Sequence, residues 1–207
     1  MSKKDAVATK TRILTVAEKM FSELGFDGTR VDDIAKEAGV NKALIYYYFK
    51  SKNEILDTLF ASLVEDVKKI LIKNVIDTPY INHEESCRQL FDAYLSFIIE
   101  KRKIIKIAVV ESSKSSSKNI IVMKIGNLII DAEIENVRKE FKAKGFYFPE
   151  DQQELLITEF FTGLMPLLGY ALYMDEWMDF YNIGEEELRE KFYNSFKKTH
   201  LAAHYKS

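Results

Sequence analysis

Three histidines, one cysteine and a run of tyrosines carry most of the chemistry open to this 207-residue chain. His83 and Cys87 lie four residues apart, as do His200 and His204, a spacing that stacks two side chains on one helix face and could bring two metal ligands together. Neither pair has a third donor near it, so these residues read as solvated or helix-end positions, and no metal and no cofactor is expected. Cys87 reads as a small core residue, since Arg88 alone would not lower a thiol pKa enough for redox work. The sequence has no Gly-rich phosphate loop, nucleophile elbow or Glu-x-x-His pair, and catalysis is not expected. What remains is a small, basic and aromatic helix face made of Lys42, Ala43, Tyr46 and Tyr47. Such a face can enter a DNA major groove. Ala43 allows close approach, Lys42 can donate to guanine edges, and tyrosine phenols can bond phosphates or bases. Lys52 falls at the start of a following helix, where its ammonium and the free backbone donors together make a phosphate site, and Thr29, opening an earlier helix, offers a second.

The elements that must hold these residues are legible as helices. Ile13, Ala17, Met20, Phe21 and Leu24 recur at spacings of three and four, and Gly25 stops that helix as a left-handed residue. Thr29-Arg30-Val31-Asp32 has the form of a capping box, opening a two-turn helix that Gly39 closes. Asn41 can cap the next helix, in which Ile45 and Phe49 point inward one turn apart. A second capping box, Ser51-Lys52-Asn53-Glu54, starts a helix with no Gly or Pro to about residue 76, expected to move as one rod. Further helices are expected at 84–102, at 120–144, at 151–175 with a kink at Pro166, and at 185–205. Residues 104–110 have the β-branched composition of a buried strand but no other strand to pair with, and are read as helix.

Composition agrees with an all-α fold. Hydrophobic residues make up 47% of the chain and charged residues 30%, enough for a large core, whereas 3 prolines and 8 glycines are too few for the turns of a β-sandwich. A single cysteine excludes an internal disulfide and fits a reducing, cytoplasmic setting. No apolar run is read as reaching the ~18 residues of a membrane span. The net charge of −2 is unevenly spread: residues 1–52 hold ten Lys or Arg against seven Asp or Glu, and the rest hold twenty against twenty-five. A basic head on an acidic body is the asymmetry expected when one end meets an anionic polymer.

The stretch Thr29-Arg30-Val31-Asp32-Asp33-Ile34-Ala35, followed by Gly39-Val40-Asn41-Lys42-Ala43-Leu44-Ile45-Tyr46-Tyr47-Tyr48-Phe49-Lys50-Ser51-Lys52, closely resembles the helix-turn-helix DNA-binding domain of tetracycline-repressor (TetR) family regulators. The resemblance covers about residues 8–60. It implies an N-terminal DNA-binding domain over 1–52 and a helical effector-binding and dimerisation domain over 53–207, with a homodimer built on the last two helices. Lys42, Ala43 and Tyr46 fall where the family reads bases, and Tyr47, Tyr48 and Lys52 where it holds phosphates; Thr29, Arg30 and Asn41 complete the DNA-binding set. Tyr48 departs from the histidine common in the family but keeps a donor there. The implied function is that of a repressor released from an inverted-repeat operator by a small lipophilic effector, the alternative being a DNA-binding regulator without a small ligand, controlled by a protein partner. Phe60, Leu63, Phe91, Tyr94, Ile98, Phe161, Met165 and Tyr170 are the expected effector lining, apolar and aromatic enough for a lipophilic, planar or cationic ligand.

Overall fold

The computed structural model describes residues 3–76, 84–114, 120–144 and 152–201, and among them every regular element is helical. In chain order these are α1 (Lys3–Leu24), α2 (Val31–Glu37), α3 (Lys42–Tyr48), α4 (Lys52–Leu71), α5 (Glu84–Glu100), α6 (Arg102–Ser113), α7 (Ile121–Lys144), α8 (Gln152–Thr158), α9 (Met165–Tyr181) and α10 (Glu185–Phe196). Wider π-helical turns extend α4 over Ile72–Ile76, join α8 to α9 over Glu159–Leu164, and prolong α10 over Lys197–Leu201. The 104–110 run is helical as expected, with Ile104, Ile105, Ile107 and Ala108 buried. His83, His204 and the 202–205 end expected for the last helix lie outside the described residues.

Two compact units divide the chain: a head of residues 1–66 with 103–122, and a body of residues 67–102 with 123–207. These units differ from the expected division at 52/53 in two ways. The boundary cuts α4 between Asp66 and Val67, so that helix is not the property of one unit, and α6 belongs with the head. The Lys114 ammonium at the end of α6 pairs with Asp27 at 2.7 Å, in the turn after α1, and with the buried Glu111 at 2.6 Å.

Within the head, Ile13, Ala17 and Phe21 of α1, Ile34 and Ala35 of α2, and Ile45 and Phe49 at α3 form the core. Gly25 and Gly39 have φ of +77° and +64°, and with open space beyond each Cα it is the left-handed backbone that calls for glycine. Asn41 caps α3 as expected, accepting from the Leu44 N–H at 2.8 Å. At α4 the Ser51 hydroxyl accepts from Glu54 N–H, but the Glu54 carboxylate turns back to the Lys50 N–H rather than to Ser51, so that box closes one residue early. The Thr29 box does not form. Arg30 is the N-cap of α2 without a side-chain bond, because the Thr29 hydroxyl is buried and donates to the Gly25 carbonyl at 2.9 Å.

The body core is aromatic. Phe91 of α5 meets Phe192, Tyr193 and Phe196 of α10 at 5.8, 4.9 and 5.3 Å between ring centroids, and Tyr170 of α9 stacks on Phe192 at 4.6 Å. Arg189 of α10 bonds Asp92 of α5, and Arg88 of α5 bonds Glu190 of α10, fastening the two helices together. The expected kink at Pro166 takes a specific form. Proline crowds the carbonyl four residues earlier, here Thr162, and the π-helical turn Glu159–Leu164 widens the backbone at that place before Pro166 enters the first turn of α9. Helix α9 then runs on to Tyr181, six residues beyond the expected end, and closes at Asn182 with φ of 50°. Contrary to the sequence reading, Gln153–Tyr181 is long and apolar enough, by length and composition, to cross a membrane, and only 39% of its most apolar 18-residue window is buried. Its exposed apolar residues are Ile157, Phe161, Tyr173, Trp177, Phe180 and Tyr181, several of them three or four apart.

Candidate functional site

Helix α3 presents the face that could read DNA. Burial of Ile45 and Phe49 beneath it turns Lys42, Ala43, Tyr46 and Tyr47 outward, with Tyr46 48% and Tyr47 77% exposed. Arg30 and Asn41 at the adjoining helix starts are exposed as well. Lys42 is held by both oxygens of the Asp32 carboxylate, at 2.9 and 3.0 Å, and this hydrogen-bonded negative charge raises the lysine pKa above its ordinary value. Tyr48 is half-buried, edge-on to the Tyr47 ring at 5.1 Å, and its enclosed hydroxyl has no hydrogen-bond partner among the described residues.

Two of the expected phosphate contacts are drawn inward instead. The Lys52 ammonium donates to the carbonyls of Phe26 at 2.7 Å and Thr29 at 2.9 Å and lies 4.3 Å from the Phe26 ring centroid. Thr29 is 1% exposed. Together they lock the α1–α2 loop by binding its carbonyls. Asp32, in the first turn of α2, was not foreseen as a site residue, since a pairing across a turn leaves no periodic signal.

Residues 13–59, which contain this whole arrangement, match the family model described as bacterial regulatory proteins, tetR family. Residues 13–59 are a tetR-family domain. Similar proteins include "Probable HTH-type transcriptional regulator YttP" of Bacillus subtilis, 35% identical over 47% of this chain and 47% of the relative. The negative transcriptional regulator of the biofilm operon icaADBC, IcaR of Staphylococcus aureus, is 35% identical over 46% of this chain and 50% of its own. The chain therefore spans about half the length of the curated relatives it matches. Among solved structures, the transcriptional regulator FadR of Bacillus subtilis in complex with stearoyl-CoA has a TM-score of 0.64 at 17% identity, covering 80% of this chain and 88% of that one, which is a likeness of fold.

The residues expected to line an effector site fall in both units. Phe60 and Leu63 are buried in the head unit, Phe91 and Ile98 are buried in the body, Tyr170 is buried in the aromatic stack, and Tyr94 and Met165 are half-buried. Phe161 does not face inward at all. At 62% exposed it lies on the outer face of its helix, as does Tyr173 at 66%. The wider turn before α9 rotates the register there, which the sequence spacing of 3.6 could not reveal.

The body interior instead holds polar groups that the sequence reading passed over. His200, expected to be solvated, is 6% exposed and packs beside Phe196 at 4.9 Å. Its Nε2 lies 3.5 Å from a Glu159 carboxyl oxygen and its Nδ1 2.9 Å from the Thr162 hydroxyl. That hydroxyl already donates to the Thr158 carbonyl, so the imidazole donates to it from Nδ1. Gly163 makes room for the ring, since a Cβ there would fall 2.8 Å from it. Burial, followed by the charge of Glu133, pushes the Glu159 carboxyl up to about 8. Burial pushes Glu133 up to about 7 against the opposing pull of the Tyr94 hydroxyl. Tyr94 Oη is itself enclosed without a well-formed hydrogen bond, and its pKa rises through burial and then through Glu133.

Proposed function

We propose that this protein is a cytoplasmic DNA-binding transcriptional regulator, a repressor that binds an inverted-repeat operator as a homodimer and leaves it when a small lipophilic effector enters the body. The observation that carries the reading is the outward face of α3, with Lys42, Ala43, Tyr46 and Tyr47 exposed over the buried Ile45 and Phe49. Ala43 brings the helix near the groove floor, and Tyr46 and Lys42 supply donors to base edges. Tyr47 and Arg30 are placed for phosphates, and Tyr48 keeps an unused hydroxyl within the same helix.

Dimerisation is supported by the apolar face of α8 and α9, where Ile157, Phe161, Tyr173, Trp177 and Phe180 stand exposed in one helical stretch. Aromatic surface of this extent is the usual core of an interface. A two-fold dimer calls for two half-sites about one DNA turn apart. IcaR, a negative regulator by name, supports the repressor reading, and the stearoyl-CoA complex of FadR supports an apolar effector.

The test is selection of duplexes from a random pool, followed by fluorescence anisotropy with the selected sequence. An inverted repeat binding two protomers is expected, with Tyr46→Ala abolishing preference at one position of each half-site while general affinity remains. Equal affinity of the wild type for all duplexes would overturn the reading.

A further inference from the structure

We propose that Asp32 and Lys42 act as one base-reading unit that recognises a single G·C pair in each operator half-site, with the Lys42 ammonium on guanine and the Asp32 carboxylate on the cytosine amino group. The inference rests on the operator reading above and assigns one base pair that it leaves open.

Asp32 lies in the first turn of α2, and Lys42, ten residues later, is the first residue of α3. The ammonium nitrogen stands 2.9 and 3.0 Å from the two carboxylate oxygens, so a donor group and an acceptor group are held side by side. Both side chains are more than half exposed, Asp32 at 62% and Lys42 at 52%, and Lys42 shares its face of α3 with Tyr46 one turn on. Neither belongs to the head core. An exposed ion pair of this kind adds little to folding stability, so a change in it is read on the DNA and not in the fold.

The pair gains little from DNA of arbitrary sequence. A lysine already neutralised by a carboxylate brings no net charge to a phosphate, and the aspartate is repelled by one. Base edges are different. In the major groove a G·C pair presents the guanine acceptors N7 and O6 beside the cytosine N4 donor. Lysine suits the first two and aspartate the third. Guanine O6 and cytosine N4 are hydrogen-bonded to each other, so acceptor and donor stand about as close together on the base pair as ammonium and carboxylate do on the protein. An A·T pair instead sets its amino donor between adenine N7 and thymine O4, and that second acceptor opposes a carboxylate. Ala43, next to Lys42, is short enough to let the unit reach the groove floor.

The test remakes the selected operator with each of the four base pairs at every half-site position and measures anisotropy with wild type, Asp32→Asn and Lys42→Ala. At one position the wild type should favour G·C roughly tenfold or more over the other pairs. Asp32→Asn should lower that preference to roughly threefold or less by strengthening the mismatched duplexes more than the operator, since an amide donates as well as accepts whereas a carboxylate only accepts. Methylation of cytosine N4 at that position keeps the base pair and replaces the amino hydrogen facing the groove. It should weaken the wild type roughly tenfold and leave Asp32→Ala unchanged, while 7-deazaguanine in the same pair should weaken the wild type and leave Lys42→Ala unchanged. The modified duplexes test the contact on the wild type alone, whatever a variant does to folding. If the wild type selects an operator but tolerates the methyl group, prefers A·T at the position that Asp32→Asn relaxes, or loses no preference in that variant, the assignment falls and the operator reading stands. Equal wild-type affinity for all duplexes overturns the operator reading and this assignment with it.

Discussion

Replacing Glu159 by glutamine should flatten the alkaline side of the protein's stability profile. The folded carboxyl is raised from 4.5 to about 8, so it contributes stability fully below pH 4.5, and that contribution is lost as pH rises through 8. For a single site with those two values, about 3 kcal/mol disappears between pH 6 and 9. Glu133, raised to about 7, accounts for about 1 kcal/mol more over the same interval. Glutamine keeps the shape and carries no proton equilibrium. The variant should therefore lose only the Glu133 share. Urea unfolding at half-unit pH steps, followed by the fluorescence of Trp177, the single tryptophan and a residue of α9, reads this in the unit concerned. Parallel midpoint-versus-pH curves for wild type and variant would show that Glu159 ionises freely in the folded state, and would refute its placement in a dry interior.

Other perturbations test the remaining geometry. Gly163→Ala sets a Cβ 2.8 Å from the His200 ring and should destabilise the body by about 1–3 kcal/mol, with most of that recovered when His200→Ala is added; equal losses in single and double variants would refute the contact. Asp32→Asn frees Lys42 and should raise operator affinity several-fold with a salt slope steeper by about one per protomer, an effect that must vanish in Lys42→Ala if the pair is what restrains it. Lys52→Met removes the ammonium that binds two loop carbonyls and should lower head stability by about 1–3 kcal/mol without changing the salt slope; a slope shallower by one would put Lys52 on a phosphate after all. Phe180→Asp places a charge on a residue 81% exposed in the single chain and should yield monomers in sedimentation equilibrium at micromolar concentration, whereas an unchanged dimer would exclude that residue from the interface.

What could be read from the sequence was what local rules decide. Asn41 caps a helix within three residues, Gly39 turns the chain in place, and Ile45 with Phe49 repeats once per turn, so the α3 face was visible before any coordinates. Thr29 obeyed the same local rule on paper and broke it in space. Its hydroxyl donates to the Gly25 carbonyl instead of accepting from the N–H groups of its own helix. Lys52 reaches carbonyls 23 and 26 residues away, a partnership that no short-range pattern encodes. The misplacement of Phe161 and the burial of His200 share another origin. Each lies in a π-helical turn, where the period on which face assignments rest does not hold.

The assignment of 103–122 to the same unit as 1–66 makes the head a discontinuous object. A contiguous cut after residue 52 or residue 66 would strip Ile104, Ile105, Ile107 and Ala108 from the unit they belong to and remove Lys114 from Asp27. Heads and bodies of this architecture are therefore not interchangeable cassettes. A transplant that keeps the reading face intact must carry two segments across and rejoin the chain at three places, the first of them in the middle of α4. New operator specificity is consequently easier to reach by substitutions on α3 than by exchange of whole domains.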